Sequence, residues 1–472
     1  MKHLATLVLA LIVLYSSVII SPGCANMIPP TGGPRDSLPP VMVHATPPDS
    51  TLNFRSKKIS FTFNEFVQLD NVTQNLLVSP NPSQLPQVES KLRTVTVTLR
   101  DSLEPNTTYT LDFGNAVRDV NEGNIYRNFS YMFSTGNHID SFSLDGSVKI
   151  AETGKADSTM FVLLHNNLAD SAVSTLRPRY VARVSSQGDF HFSNLPAGTY
   201  AIYALKDESG MKRYMSPTTM FAFFDTTVSI PYSGPPINMA AFIDSIPEPE
   251  PVTMPATPSR ANRDREQEIK RLQFQTNLVS GNTQDLLEDL ELQFQVPLRN
   301  FDSSKIILYS ELYQPVPGHT VRLDSTGKQV VIKNKWEENT TYNLFLDKAF
   351  AEDTNGLKLL RSDTINFKTR RTNEYGAVNL RFLNLDPALN PILQFVQQDK
   401  VVYSFPLTSK SFNAKLFNPG EYNLRLVLDA NKNGKWDSGK FFGTKRQPEK
   451  VIFIERKINV RANWDNDVDI TL

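Results

Sequence analysis

The stretch LEPNTTYTLDFGNAVRDVNEGN (residues 103–124) contains the strand pattern on which the fold of this chain depends. Within it, Tyr109, Leu111 and Phe113 alternate with polar side chains. Successive side chains of a strand point to opposite faces of a sheet, so the alternation predicts a strand with one buried face. The same alternation occurs nearby in residues 57–66, 94–101 and 129–135. Four such segments close together predict the antiparallel strands of a β-sandwich.

A second copy of this stretch lies further along the chain, as WEENTTYNLFLDKAFAEDTNGL (residues 336–357). The matched positions are Asn106, Thr107, Thr108 and Tyr109 with Asn339, Thr340, Thr341 and Tyr342, and Asp119 and Asn121 with Asp353 and Asn355. Spacing and turn residues recur together, which indicates a repeat at the scale of a domain. We therefore predict one sandwich at residues 41–137 and a second of the same type at 269–371.

A different motif also occurs twice. GDFHFSNLPAGTYAIYALKDESG (residues 188–210) corresponds to KSFNAKLFNPGEYNLRLVLDANKNG (410–434). In each copy a proline and a glycine separate two alternating segments, which predicts a β-hairpin. These copies place a second type of sandwich at residues 142–243 and 375–472, so the two types alternate along the chain.

These residues resemble known bacterial modules. The segments TGGPRDSLPP (31–40), KKISFTFNEFVQLDN (57–71) and NTTYTLDF (106–113) resemble bacterial Ig-like domains of Bacteroidetes envelope lipoproteins, over roughly residues 32–137 and again 268–370. The motif of residues 188–210 is similar to the transthyretin-like, or carboxypeptidase regulatory-like, sandwich. The resemblance implies an all-β chain of tandem antiparallel β-sandwiches in an outer-membrane protein, and it implies no catalytic residues.

The amino terminus predicts export and a lipid anchor. A short cationic start is followed by an apolar run from Leu4 to Ile20, which is typical of a signal peptide (residues 1–23). Cys24, the single cysteine of the chain, follows Gly23 and resembles the lipidated cysteine of bacterial lipoproteins, although Ser21 and Pro22 depart from the usual residues. An uncleaved membrane anchor, or an ordinary signal peptide with an incidental cysteine, is the alternative. The lipoprotein interpretation predicts that the chain lies at the outer membrane, on either its periplasmic or its cell-surface face.

Two proline-rich segments are predicted to be spacers. Residues 24–40 directly follow the lipid site, and residues 244–268 separate the two halves of the chain. Proline and alternating glutamate favour an extended, solvated backbone. A short helix is predicted at residues 264–275.

Composition excludes several classes of function. Lys plus Arg and Asp plus Glu are equal at 49 each, and no clustered basic face is evident, so the sequence gives no indication of nucleic-acid binding. A single cysteine excludes cysteine zinc sites and redox pairs. The HExxH, GxSxG, P-loop and GxGxxG motifs are absent. We predict that the chain is not an enzyme and holds no cofactor apart from the covalent lipid, with weak calcium binding as an open alternative.

The calcium prediction rests on DANKNGKWDSGK (residues 429–440). Asp429, Asn431, Asn433 and Asp437 occupy positions 1, 3, 5 and 9 of a calcium loop, with a glycine at position 6. Position 12, which usually supplies a bidentate glutamate, is Lys440, so binding would be in the millimolar range at best. The alternative is a turn closed by its own Asp and Asn side chains.

Two tryptophans are candidates for stacking on a sugar ring. Trp436 lies in the Asn-rich loop, and Trp464 lies near the carboxyl terminus. A flat indole ring can cover the face of a sugar, whereas a tryptophan at a strand end more often closes a core. Both interpretations remain open at the level of sequence.

The sequence therefore favours a non-enzymatic lipoprotein that acts as an envelope assembly or adhesion scaffold. The alternative is a glycan- or peptide-binding module that presents its ligand to a membrane partner complex. The expected partners are the membrane, through the lipid, and envelope proteins or glycans.

Overall fold

The computed structural model describes residues 36–244, 271–279 and 282–472. The all-β prediction is confirmed, because strands dominate every described region. Four separate hydrophobic cores lie within residues 45–133, 144–241, 272–367 and 378–470, and we name these regions the first, second, third and fourth sandwich. The described residues up to Asp140 form one compact unit, and the described residues from Ser141 onward form another. The predicted signal peptide, most of the tether and nearly all of the linker lie outside the described residues.

The first sandwich contains ten strands and one helical turn. They are β1 (Met42–Thr46), β2 (Lys58–Phe63), β3 (Val67–Leu69), α1 (Val72–Asn75), β4 (Leu77–Ser79), β5 (Gln87–Lys91), β6 (Thr94–Thr98), β7 (Thr108–Gly114), β8 (Val117–Asp119), β9 (Ile125–Tyr126) and β10 (Phe129–Ser134). The sheets have the orders β1-β2-β6-β5, β10-β7-β4 and β3-β8-β9. Phe61 packs edge-on against Phe113, Phe129 and Tyr131, so the alternating positions of the sequence form the aromatic core.

The second sandwich contains β11 (Phe142–Ile150), β12 (Met160–His165), α2 (Ala172–Thr175), β13 (Tyr180–Arg183), β14 (Asp189–Leu195), β15 (Gly198–Lys206), β16 (Phe221–Phe223), β17 (Val228–Ile230) and β18 (Ile237–Ala241). One sheet has the order β14-β11-β18. The other has the order β13-β12-β15-β16, and β17 also pairs with β15.

The third sandwich contains β19 (Phe274–Thr276), β20 (Thr283–Gln284), β21 (Leu290–Phe294), β22 (Leu298–Phe301), β23 (Ile306–Ser310), β24 (Thr320–Leu323), β25 (Gln329–Lys333), β26 (Thr341–Leu346), β27 (Ala351–Asp353) and β28 (Asp363–Thr369). Its sheets have the orders β19-β21-β25-β24, β20-β28-β26-β23 and β22-β27. A 3₁₀ turn spans Ser303–Lys305. The predicted helix at 264–275 is wrong where it can be compared, because Phe274–Thr276 pairs with β21 as a strand.

The fourth sandwich contains β29 (Gly376–Leu383), β30 (Pro391–Gln397), β31 (Lys400–Pro406), β32 (Ser411–Phe417), β33 (Gly420–Leu428), β34 (Val451–Val460) and β35 (Asp465–Thr471). Its 3₁₀ turns are Thr372–Glu374 and Pro387–Leu389. The sheet orders are β32-β29-β35 and β31-β30-β33-β34. The three-stranded sheet repeats the β14-β11-β18 arrangement of the second sandwich.

The hairpin prediction for the proline–glycine motif is wrong in both copies. Strand β14 pairs with β11, whereas β15 pairs with β12, so the two strands on either side of Pro196 belong to opposite sheets. Strands β32 and β33 are separated in the same way. The turn is an arch across the sandwich, and the alternating side chains of both strands meet in one core.

Parallel pairs occur within these mainly antiparallel sheets. Strand β18 runs parallel to β11, β35 runs parallel to β29, and β20 runs parallel to β28. In the second and fourth sandwiches the last strand returns beside the first one after crossing the sandwich. Such a pairing joins distant segments, and the alternation within a strand does not reveal it.

Candidate functional site

The predicted calcium loop folds around its own side chains. The buried Asp429 carboxylate accepts hydrogen bonds from the backbone N–H groups of Asn433 (3.2 Å) and Gly434 (2.7 Å). The side-chain amides of Asn431 and Asn433 both donate to Asp437. The structure therefore brings all four predicted residues together.

Glu449 also binds this loop, although it is not part of the sequence motif. Its carboxylate accepts from the backbone N–H groups of Ala430 (2.8 Å) and Asp437 (3.0 Å). Glu449 lies outside the 12-residue motif, so motif spacing could not identify it. Among the described residues, no group of three or more His, Cys, Asp or Glu side chains is arranged to hold a metal ion. Calcium binding by the loop stays a prediction.

The two candidate tryptophans have different surroundings. Trp436 is half-buried, and its indole N–H donates to the backbone carbonyl of Glu449 at 3.0 Å. Trp464 is 62% exposed in the turn between β34 and β35. Trp436 thus covers the polar loop, whereas the ring of Trp464 is accessible to a ligand.

The loop also carries a phenylalanine into the second sandwich. Phe441 is only 1% exposed, although it belongs to a connection between strands of the fourth sandwich. Its ring contacts four aromatic side chains of the second sandwich, Tyr203, Tyr214, Phe221 and Phe223, and Phe242 packs against the last two of these. We name residues 438–447 the docking loop and these five side chains the aromatic pocket.

The pocket lies on the outer face of a sheet, not in the core of the second sandwich. Along β15, Tyr200, Ile202 and Ala204 belong to the core cluster, whereas Tyr203 faces the other way. The six consecutive residues of β15 from Tyr200 to Leu205 are nevertheless all buried, because the outer face is also covered. Unbroken apolar runs are typical of strands buried on both faces, so MFVLL (160–164) and YAIYAL (200–205) contained a signal that could have predicted this cover.

Burial changes the acidity of groups around the pocket. Burial, with a contribution from Asp170, raises the pKa of Tyr203 to about 12, and burial with Asp244 does the same for Tyr214. Burial also lowers the pKa of His165, on the same sheet, to about 4. The His165 ring packs edge-on against Tyr203, and its Nε2 has no hydrogen-bond partner among the described residues. These three groups are therefore neutral at pH 7.

A second contact zone joins the same two sandwiches. Arg425 of β33 is 6% exposed and donates to Gln394, to the backbone carbonyl of Glu152 and to the Glu152 carboxylate. Lys155 and Asp399 form an ion pair at 2.7 Å. A buried arginine needs its partners, so this zone fixes the relative orientation of the second and fourth sandwiches.

The third and fourth sandwiches are also fixed to each other. Arg370 donates to Asp285 at 3.0 Å and to Asn418 at 2.9 Å, and its guanidinium lies 4.5 Å from the centre of the Tyr375 ring. The Tyr375 hydroxyl donates to Asp285 at 2.8 Å. The planar guanidinium fork suits this geometry, which holds the short connection between the two domains in one orientation.

The predicted lipid site lies outside the described residues. Cys24 therefore stays a prediction, as do the spacers at residues 24–40 and 244–268. Each described helix is a short turn, and none is long and apolar enough to cross a membrane.

The comparisons with known proteins agree with this fold for the first sandwich. Residues 36–135 match the family model of the bacterial Ig-like domain. The first sandwich is thus similar to bacterial Ig-like domains, in agreement with the resemblance seen in the sequence. No curated protein matches the chain.

Several solved structures show a distant likeness to the chain. Native alpha-2-macroglobulin from Escherichia coli, spanning domains MG0-NIE-MG1, is 13% identical, with 40% of this chain and 73% of that chain covered and a TM-score of 0.19. BcpA, the major pilin subunit of Bacillus cereus, is 12% identical, with coverages of 70% and 99% and a TM-score of 0.17. The Bacillus anthracis TIE protein is 10% identical, with coverages of 93% and 75% and a TM-score of 0.16. No conclusion about function follows from scores this low.

Proposed function

We propose that the chain is a non-enzymatic scaffold of the bacterial envelope, anchored in the outer membrane by a lipid on Cys24. The observation that carries this proposal is the fixed arrangement of the second, third and fourth sandwiches. Arg370 joins the third to the fourth, and Arg425 joins the fourth to the second. A chain of Ig-like and transthyretin-like sandwiches held in this way suits the presentation of binding surfaces at a set geometry.

Open sheet edges supply such surfaces. Strand β31 lies at the end of its sheet, and its Val401 and Val402 side chains are 39% and 43% exposed. Strand β5 is the corresponding edge of the first sandwich. An unpaired edge offers backbone donors and acceptors to an added strand, which is a common mode of peptide recognition. We infer that envelope proteins are the partners of the scaffold.

A glycan-binding function is the second candidate, and exposed Trp464 is the observation that favours it. The scaffold proposal predicts that a soluble chain starting at residue 25 binds no glycan on an array, while crosslinking in intact cells captures envelope proteins. Reproducible glycan binding that Trp464→Ala abolishes would contradict the scaffold and favour the second candidate. Trp436→Ala is the matched control, because its half-buried ring covers the loop. Crosslinks to no envelope protein would also contradict the scaffold.

A further inference from the structure

The docking loop is recognised by more than one kind of contact. Phe441 fills the aromatic pocket, and Phe442 stacks on Tyr214 with ring centres 5.3 Å apart. Exposed Phe442 covers the rim of the pocket, whereas Phe441 is enclosed. A buried aromatic side chain surrounded by partly exposed contacts is the arrangement in which a few residues carry most of the binding energy.

Polar contacts fix the direction of the docking loop. The Lys445 ammonium forms an ion pair with Asp170 and lies 5.1 Å from the centre of the Phe441 ring. Gln447 donates to the backbone carbonyl of Phe223 at 3.0 Å and to Asp225 at 2.8 Å. The second sandwich thus binds three side chains of the docking loop in a fixed order: the aromatic ring of Phe441, the ammonium of Lys445 and the amide of Gln447.

Close approach also restricts the sequence of the loop. A Cβ added at Gly439 would lie 2.6 Å from the Phe242 ring, a distance that side chains do not reach without movement. Glycine is therefore needed immediately before the Lys440-Phe441 segment. The backbone of the docking loop at Gly439 therefore packs directly against the aromatic pocket.

The polar cluster of residues 429–437 holds the start of this loop. Asp429 fixes the backbone of Asn433 and Gly434, and Glu449 fixes that of Asp437, directly before the docking loop. Asp429 and Glu449 act at the two ends of the β33–β34 connection. The cluster therefore reduces the conformational freedom of the loop that carries Phe441, which lowers the entropic cost of docking.

We propose that the second sandwich carries a recognition site for a Phe-bearing loop followed by a cation, and that the docking loop occupies this site as an intramolecular latch. The ligand class is a glycine-led aromatic peptide loop with a lysine or arginine a few residues later. The latch joins two sandwiches that are not consecutive in the chain, because the third sandwich lies between them in sequence. The latch does not depend on the lipid anchor.

The test cuts the peptide chain between the second and third sandwiches and measures whether the two fragments remain bound to each other. A site-specific protease sequence is inserted between Pro258 and Ser259 in a chain starting at residue 25, and the intact protein is then cut. The latch predicts that the two fragments elute together in gel filtration at micromolar concentration. Their separation in the unsubstituted chain would overturn the proposal.

Phe441→Ala is expected to weaken association of the fragments by about 100-fold or more, because truncation of a buried phenylalanine leaves a cavity. Phe66→Ala is the matched control, since Phe66 is 47% exposed on the first sandwich. We expect the two fragments of this variant to remain associated. Unchanged association in Phe441→Ala would contradict the latch. Circular dichroism of each cut chain shows whether the sandwiches remain folded.

Exchanging the charges of the Lys445–Asp170 ion pair gives a second test, which does not require removal of a buried side chain. Lys445→Glu is expected to weaken association several-fold, and adding Asp170→Lys to the same chain is expected to recover most of the loss, as a direct pair interaction requires. A synthetic peptide of residues 436–447 should compete with reassociation, whereas the same peptide with alanine in place of Phe441 should not. Absence of recovery together with absence of competition would show that the site does not recognise the loop.

Discussion

Lowering the pH from 7 to 4 is expected to destabilise the second sandwich by about 3 kcal/mol through His165 alone. Burial lowers the pKa of His165 to about 4, from an ordinary value of 6.5. The unfolded chain therefore binds a proton at a higher pH than the folded chain does. The contribution of His165 to stability is complete above pH 6.5 and falls as the pH drops toward 4.

The physical cause is the apolar layer around the ring. His165 is 1% exposed, its edge faces Tyr203, and its Nε2 has no partner among the described residues. A proton would place a charge in this layer without a group to pair with it. Because Tyr203 also contacts Phe441, protonation acts on the side of the sheet that receives the docking loop.

Hydrogen exchange on the whole chain measures this effect, since each sandwich reports separately after correction for intrinsic exchange rates. The pH-dependent loss of protection in β12 should be much smaller in His165→Leu than in the unsubstituted chain. His191→Leu is the matched control, because His191 lies on the same sandwich but is exposed and pairs with Asp145 at 2.6 Å. Equal pH dependence in His165→Leu and the unsubstituted chain would contradict the assignment.

Asp119→Ala is expected to lower the free energy of unfolding of the first sandwich by about 3 kcal/mol. The carboxylate of Asp119 is 1% exposed and accepts hydrogen bonds from the backbone N–H groups of Glu122, Gly123 and Asn124. Burial alone would raise the pKa of Asp119, but these backbone donors outweigh it and lower the pKa. Removal of the carboxylate leaves all three donors without their acceptor.

Hydrogen exchange of strands β7, β8 and β10 gives the measurement for this variant. Asp112→Ala is the matched control, because Asp112 is in the same sandwich and binds the backbone N–H of Gly114, but is only partly buried. We expect the control to cost less than about 1 kcal/mol. Equal losses in the two variants would show that the turn at residues 119–124 does not stabilise the sandwich through Asp119.

The repeat in the sequence predicted local structure well because turn chemistry acts over a few residues. Asn106 and Asn339 have left-handed backbones with φ of 51° and 50°, as turn residues before a strand do. The backbone N–H of Thr107 donates to Thr135 at 3.0 Å, and that of Thr340 donates to Thr369 at 2.9 Å. The two copies therefore form the same turn, and the sequence contained everything needed to predict it.

Pairing between strands was harder to predict, because it depends on segments far apart in the chain. The proline–glycine motif has the composition of a hairpin turn, yet its strands enter opposite sheets. The alternation of side chains shows which face of a strand is buried, but it does not show which strands pair with it. The arch and the hairpin bury the same side chains, so periodicity could not distinguish them.

The contact between the docking loop and the aromatic pocket was not predicted from the sequence. Phe441 follows a polar loop and has no alternating neighbours, so nothing local marks it as buried. The evidence in the sequence lay at the other partner, in the apolar runs of β12 and β15. Those runs predict a covered face, whereas the identity of the cover depends on the three-dimensional structure.

The lipid anchor is the central claim of the proposed function, and one labelling experiment tests it most directly. Cells expressing the full chain are grown with a palmitate analogue, and the protein is purified and compared with Cys24→Ala. The chain has a single cysteine, so a thiol-linked anchor has no other site.

We expect the unsubstituted chain to be labelled and to sediment with the outer membrane, whereas Cys24→Ala is unlabelled and absent from that fraction. Equal labelling of both chains, or an unlabelled chain that remains in the membrane, would contradict the anchored scaffold.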